Sequence, residues 1–264
     1  MNDYRIKSDF NSQTIVTAEK LIKYIKIEKK FPDLVIPKGI IISYQKVFTN
    51  FLENNFETKK IRVLGMDLYF FSYKNVPMAV ASGFGIGAPA ASVILEELTA
   101  LGRGNIERII SVGTAGAIAE QVHVGDIVVI EKALREEGTS FHYLTNAQSK
   151  NQFSFPSQNL TKRMMATCEE LKIPFHFGPG WTTDAPYRET INKIKRYQRK
   201  KILAVDMEAS ALFAVALYKK IEIATAFTIS DSLSNLEWSP KFDSVKTKGG
   251  LEKLFNISIN TLLL

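Results

Sequence analysis

The chain has 264 residues, 45% of them hydrophobic and 23% charged, with a net charge of +7 from 34 basic and 27 acidic side chains. That length and apolar content suit one α/β domain or two small ones, and the charge content is ordinary for a soluble protein. A single cysteine, Cys168, excludes an intrachain disulfide and fits a reducing compartment. No run reaches the roughly 18 apolar residues that a membrane helix needs. The stretch Met1 to Arg5 opens with mixed charge and no apolar core, so a cytoplasmic protein without a membrane partner is expected. Without internal repeats or low-complexity linkers, residues 1–264 are expected to form a single domain.

In chain order, Ala18 to Lys30 alternates apolar and lysine positions with helical spacing. Met78-Ala79-Val80-Ala81-Ser82 reads as a short buried strand ending at Gly83. The turn Gly83-Phe84-Gly85-Ile86-Gly87 follows, and Pro89 opens a helix over Ala90 to Leu101 that Gly102 stops. Arg108 to Val112 reads as a strand ended by Gly113-Thr114-Ala115-Gly116, and Asp126 to Ile130 as another. Helical patterns cover Leu160 to Leu171, Glu208 to Tyr218 and Leu251 to Leu262, with a strand over Ile223 to Ile229 ended by Ser230-Asp231. This alternation predicts a three-layer α/β/α sandwich around a mixed, largely buried sheet. In such folds the loops beyond the strand ends collect the ligand chemistry.

Those loops hold the informative residues. Asp206 and Glu208 sit among apolar neighbours in Ala204-Val205-Asp206-Met207-Glu208-Ala209-Ser210-Ala211. They share a face on a strand and diverge on a helix. By themselves they read as acids capping a helix at a strand-to-helix junction. The glycine-rich turn ending at Gly87 offers free backbone N–H groups and the positive end of a helix dipole to an anion. Its third glycine comes one residue early for a dinucleotide fingerprint, so no nicotinamide cofactor is expected.

His123, His142 and His176 lack the spacing of a zinc site, and no metal is expected. His142, in a polar turn, reads as a surface or structural histidine. Cys168 shares helical spacing with Met164 and Leu171, which places it in the core rather than at a reaction centre. The basic run Lys193 to Lys201 has no recognised nucleic-acid module beside it and reads as a solvated helix face, so nucleic acid is not a favoured partner.

Taken together, several short segments resemble the nucleoside phosphorylase family that includes uridine phosphorylase and the hexameric bacterial purine nucleoside phosphorylases. They are Gly85-Ile86-Gly87-Ala88-Pro89-Ala90 with Glu96-Glu97-Leu98, Val112 to Ile118, Val124 to Val128, Glu137-Gly138-Thr139-Ser140, Asp206 to Ala211, and Ser230-Asp231. They occur in family order across residues 76 to 232. The resemblance implies attack of phosphate on the anomeric carbon of a nucleoside, releasing free base and ribose 1-phosphate. It implies Met207 and Glu208 at the ribose, Gly87 and Thr114 at the phosphate, and Asp231 as the catalytic acid toward a purine. It implies Trp181, Tyr187 and Arg188 at the base, phosphate as co-substrate without a cofactor, and a homo-oligomer of dimer or hexamer type.

Two departures keep alternatives open. The family's Gly-Asp-Pro-x-Arg phosphate loop is absent, the corresponding region reading Leu34 to Ile40, and Ser111 stands where a phosphate-binding arginine is usual. Lys38 is a partial substitute as a point charge, and Arg62 is a candidate across a subunit interface. A nucleosidase using water and a non-catalytic nucleoside-binding protein are the alternative readings. The uridine enzymes' Gln-x-Arg clamp is also missing, which favours purines.

Overall fold

The computed structural model describes residues 10–28 and 34–263. Met1 to Arg5, and Lys29 and Lys30 of the first expected helix, lie outside the described residues. Helix α1 (Ala18–Glu28) precedes β1 (Gly39–Ser43), α2 (Lys46–Asn55), β2 (Lys59–Val63), β3 (Met66–Tyr73) and β4 (Val76–Ser82). Helix α3 (Ala88–Gly102) leads to β5 (Arg108–Ala117), β6 (Ile127–Glu136), α4 (Asn146–Ser149), β7 (Phe153–Ser154) and α5 (Gln158–Glu170). Then come β8 (Phe175–Thr183), α6 (Ile191–Arg199), β9 (Ala204–Asp206), α7 (Ala209–Lys219), β10 (Glu222–Ser232), β11 (Ser239–Pro240) and α8 (Val245–Thr261).

The strands form one mixed sheet in which β4, β1, β5 and β10 are parallel neighbours. Because β10 pairs with both β5 and β6, the strands β5, β10, β6, β8 and β9 also close into a ring. Both faces are apolar, as expected for parallel strands covered on each side. Ile40, Ile42, Ala79 and Ala81 face α1, α3 and α7 in one cluster; Ile41, Met78 and Val80 face α2, α5 and α8 in another. The alternation follows directly from the two-residue period of a strand. A third cluster under α6 fills one end of the ring with Ile118, Leu134, Trp181 and Tyr197.

Local signals explain most boundaries. Ser157 accepts from the Leu160 amide to cap α5, and Ser244 accepts from the Thr247 amide to cap α8. That second cap starts α8 six positions before its apolar repeat at Leu251 suggests. Strand β5 departs more from expectation. It runs through Gly113-Thr114-Ala115-Gly116 instead of stopping there, because β10 pairs with it as far as Ala117 and β9 joins at Gly116 and Ala117. The glycines answer crowding rather than a turn: a Cβ on Gly116 would lie 2.8 Å from Leu233 Cδ1 and 3.1 Å from Asp231 Oδ2. None of the described helices is long and apolar enough to cross a membrane.

Candidate active site

The C-terminal ends of the parallel strands open onto a cavity of about 540 Å³. Tyr44 and Gln45 enter it after β1, Thr114 to Gly116 from β5, and Ser230 and Asp231 from β10. Val205 to Glu208 complete the wall where β9 turns into α7. A register shift between Ile229 and Asp231 bulges β10, so the consecutive residues Ser230 and Asp231 both reach the cavity.

Asp206 organises the β9–α7 junction. One carboxylate oxygen accepts the backbone N–H groups of Glu208 (2.9 Å) and Ala209 (2.6 Å), while the other accepts the Thr182 hydroxyl (2.7 Å). It satisfies the free amides at the start of α7, the capping role read from its position. The next turn is tied down by Glu137, which accepts the Ser210 hydroxyl at 2.9 Å and the amides of Thr139 (2.6 Å) and Ser140 (2.9 Å). Thus the Glu137-Gly138-Thr139-Ser140 segment is a brace for the site and does not line the cavity.

Glu208 is then presented to the cavity with one short bond, from the Gly87 amide to Oε1 at 2.6 Å. Burial, and next the charge of Asp206, push its carboxyl above the usual range; burial likewise raises Asp206 against its three donors. Tyr44 stands beside them, its hydroxyl pushed well above its ordinary value by burial and then by Glu208. Asp231, which also lines the cavity, accepts from the Ser230 hydroxyl (2.7 Å) and from the Trp238 indole N–H (2.9 Å). Glu189 also lines the cavity, and burial followed by the charge of Asp231 pushes it up to about 7. Thr114 takes a bond from the Gln45 side-chain amide at 3.1 Å.

The structure therefore gathers Met207, Glu208, Thr114, Tyr187 and Asp231 around one cavity. Tyr187 stands at the rim, 98% exposed. Three expected site residues are placed elsewhere. Trp181 is 0% exposed, its ring tilted by 56° against that of Tyr197 at 4.6 Å in the core beneath α6, and it does not line the cavity. Arg188 is exposed and does not line the cavity. Gly87 keeps its positive φ of 97° at the start of α3, but its amide serves Glu208 rather than an anion, and it does not line the cavity.

Neither Lys38 nor Arg62 lines this chain's own cavity. Lys38 precedes β1, at the end of that strand opposite Tyr44, and pairs with Glu107 at 2.5 Å. Arg62 binds Asp67 and the Gly83 carbonyl, and Ser111 is buried in mid-strand. Among the described residues no lysine, arginine or histidine lines the cavity. His142 is exposed and lines a different hollow beside Tyr143 and Tyr218. Cys168 is buried, its thiol pushed up to about 11 by burial, as a core residue should be. On α6, Lys193 pairs with Glu136 at 2.9 Å while Ile194 and Tyr197 turn inward, which makes the basic run the outer face of an amphipathic helix.

Sequence reasoning missed Tyr44, Gln45, Glu189, Trp238 and Phe242 at the cavity. For the first two a signal existed, since they follow the apolar run Gly39-Ile40-Ile41-Ile42-Ser43 and so occupy a strand exit. Nothing local marked the others.

The chain belongs to the phosphorylase superfamily, whose family model matches residues 37–250. It is 29% identical over 195 residues to a guanosine phosphorylase of Halorubrum lacusprofundi, covering 72% of this chain and 78% of that one. It is 27% identical over 245 residues to a DeoD-type purine nucleoside phosphorylase of Buchnera aphidicola, covering 91% and 98%. In structure it resembles uridine phosphorylase from Vibrio fischeri (TM-score 0.75, 24% identity, 86% and 92% covered). It resembles equally the purine nucleoside phosphorylase from Toxoplasma gondii solved with immucillin-H (TM-score 0.75, 22% identity, 88% and 92% covered).

Proposed function

We propose that this protein is a nucleoside phosphorylase, a pentosyltransferase that cleaves purine nucleosides with phosphate to free base and ribose 1-phosphate. The observation that carries the reading is the placement of Glu208 and Asp231, from two different strand ends, in the lining of one cavity in the fold of this family. Glu208, held by Gly87, accepts hydrogen bonds from the sugar hydroxyls, and Met207 packs against the ribose. The cleaved C–N bond leaves its electron pair on the base; a proton taken from solvent by a purine ring nitrogen neutralises that charge, and the Asp231 carboxylate accepts a hydrogen bond from the resulting N–H. Help of this kind is typically worth ~10²–10⁴ in rate. A phosphate oxygen forms the new bond to the anomeric carbon from the side of Thr114, whose hydroxyl and the Gln45 amide supply donors. Tyr187 closes over the base.

The relatives named for guanosine and purine nucleosides support the purine assignment. The whole chain acts as one domain in a cytoplasmic homo-oligomer, in which a neighbouring copy supplies a phosphate-binding cation, since none lines this cavity among the described residues. A second reading, hydrolysis by water, is favoured by that same lack of a cationic lining residue.

Release of free base from inosine, guanosine, adenosine and uridine, measured with and without phosphate, separates the two. Release that requires phosphate and yields ribose 1-phosphate is expected. An equal rate in phosphate-free buffer would replace phosphorolysis by hydrolysis.

A further inference from the structure

The chain contains two tryptophans with opposite surroundings. Trp181 is fully buried and its indole nitrogen has no hydrogen-bond partner among the described residues. Trp238 is 62% exposed, so water is available to its indole N–H, yet that group is committed to Asp231 Oδ2 at 2.9 Å. The ring lines the cavity, with Phe242 beside it at 6.2 Å between centroids.

The chain reaches this contact through a constructed hairpin. Strand β11 folds back on β10 so that Pro240 pairs with Asp231 and Ser239 with Ser232, and the Lys241 amide donates to the Ser230 carbonyl at 2.8 Å. The intervening loop is anchored by Gln198 of α6, whose side-chain amide donates to the Ser234 carbonyl at 2.8 Å. Leu236 adopts a φ of +64°, a region that a leucine enters only when its surroundings demand it. With the Ser230 hydroxyl on Oδ1, Trp238 completes a donor on each oxygen of the carboxylate.

We propose that Trp238 is the positioning residue of Asp231: its N–H and the Ser230 hydroxyl fix the plane of the carboxylate and leave its remaining lone pairs to accept an N–H of the purine. The proposal rests on the reading of Asp231 as the base partner. In the free protein the two donors hold the carboxylate in the orientation it needs at the transition state, so no reorientation is required as charge develops on the base. Trp238 acts through Asp231, and its loss registers in kcat more than in KM.

The test compares wild type, Trp238→Phe, Asp231→Asn and the double variant, with guanosine or inosine at saturating phosphate. Trp238→Phe keeps the ring and removes the donor, and Trp181 fluorescence reports on the fold of every variant. The expected result is a fall in kcat/KM of about tenfold to hundredfold for Trp238→Phe, the scale of one hydrogen bond to a charged group, carried by kcat. The double variant should then be no slower than Asp231→Asn, because the two act as a unit. A normal Trp238→Phe beside an impaired Asp231→Asn would overturn the positioning role, as would losses that multiply in the double variant. An unimpaired Asp231→Asn would instead remove Asp231 as the base partner, a separate failure.

Discussion

The amide of Gly87 donates to Oε1 of Glu208 across 2.6 Å, joining two loops 121 positions apart in the chain. The bond sets the start of α3, with its positive dipole end, against the carboxylate that turns toward the cavity. The free amide at the end of the glycine-rich turn is thereby taken by a carboxylate of the same chain. The φ of 97° at Gly87 makes this approach open to glycine and strained for other residues.

Replacing Glu208 by alanine should lower kcat/KM for nucleosides by about 10²-fold or more, because hydrogen bonds to a charged acceptor are each worth ~1.5–3 kcal/mol. The fold should survive, since a buried carboxylate without a cation beside it is removed. Steady-state kinetics with a thermal melt tests both parts; normal turnover would remove Glu208 from the ribose site.

Gly116→Ala should disturb the acid without touching it chemically. The new methyl would sit 2.8 Å from Leu233 Cδ1 and 3.1 Å from Asp231 Oδ2. Overpacking of this kind costs about 1–3 kcal/mol. Urea denaturation should show that loss, and turnover should fall as the Asp231 carboxylate is pushed from its two donors.

Trp181→Phe separates core from site. Trp181 fills the cluster beneath α6, so shrinking it should cost about 1–3 kcal/mol in chemical denaturation. KM for the nucleoside should stay within about twofold of wild type. A raised KM with unchanged stability would return this residue to the base pocket.

Glu189 should leave a signature in the pH dependence of stability. Burial, then the charges of Asp231 and Glu136 against that of Lys193, raises its carboxyl from 4.5 to about 7. The folded protein therefore binds the proton more tightly than the unfolded chain. This contribution favours the fold fully below about 4.5 and is lost as pH rises through about 7. Glu189→Gln, which cannot ionise, should melt close to wild type at pH ~5 and higher than wild type at pH ~8. Equal melting temperatures at both pH values would refute a raised Glu189.

Much of the fold was written locally. Runs such as Met78 to Ser82 and Ile223 to Ile229 are buried because they lie in a covered sheet, and hydroxyl caps at Thr145, Ser157, Thr190 and Ser244 set four helix starts, whereas α3 runs through Gly102 and ends at a left-handed Arg103. The acids of Asp206-Met207-Glu208 and Ser230-Asp231 were legible for the same reason, since carboxylates inside apolar runs must serve some purpose. Tertiary structure decided the rest, because the facts concerned are relations between distant segments. The length of β5 depends on β9 and β10 pairing beyond its glycines. Whether an aromatic residue is core or site depends on which layer covers it: α6 buries Trp181, while a returning hairpin brings Trp238 to Asp231. Residue type and spacing thus marked the acids and the strand ends, and only the closing of the sheet determined which side chains meet at one cavity. Burial and hydrogen-bond partnership are set by neighbours that the local sequence does not contain.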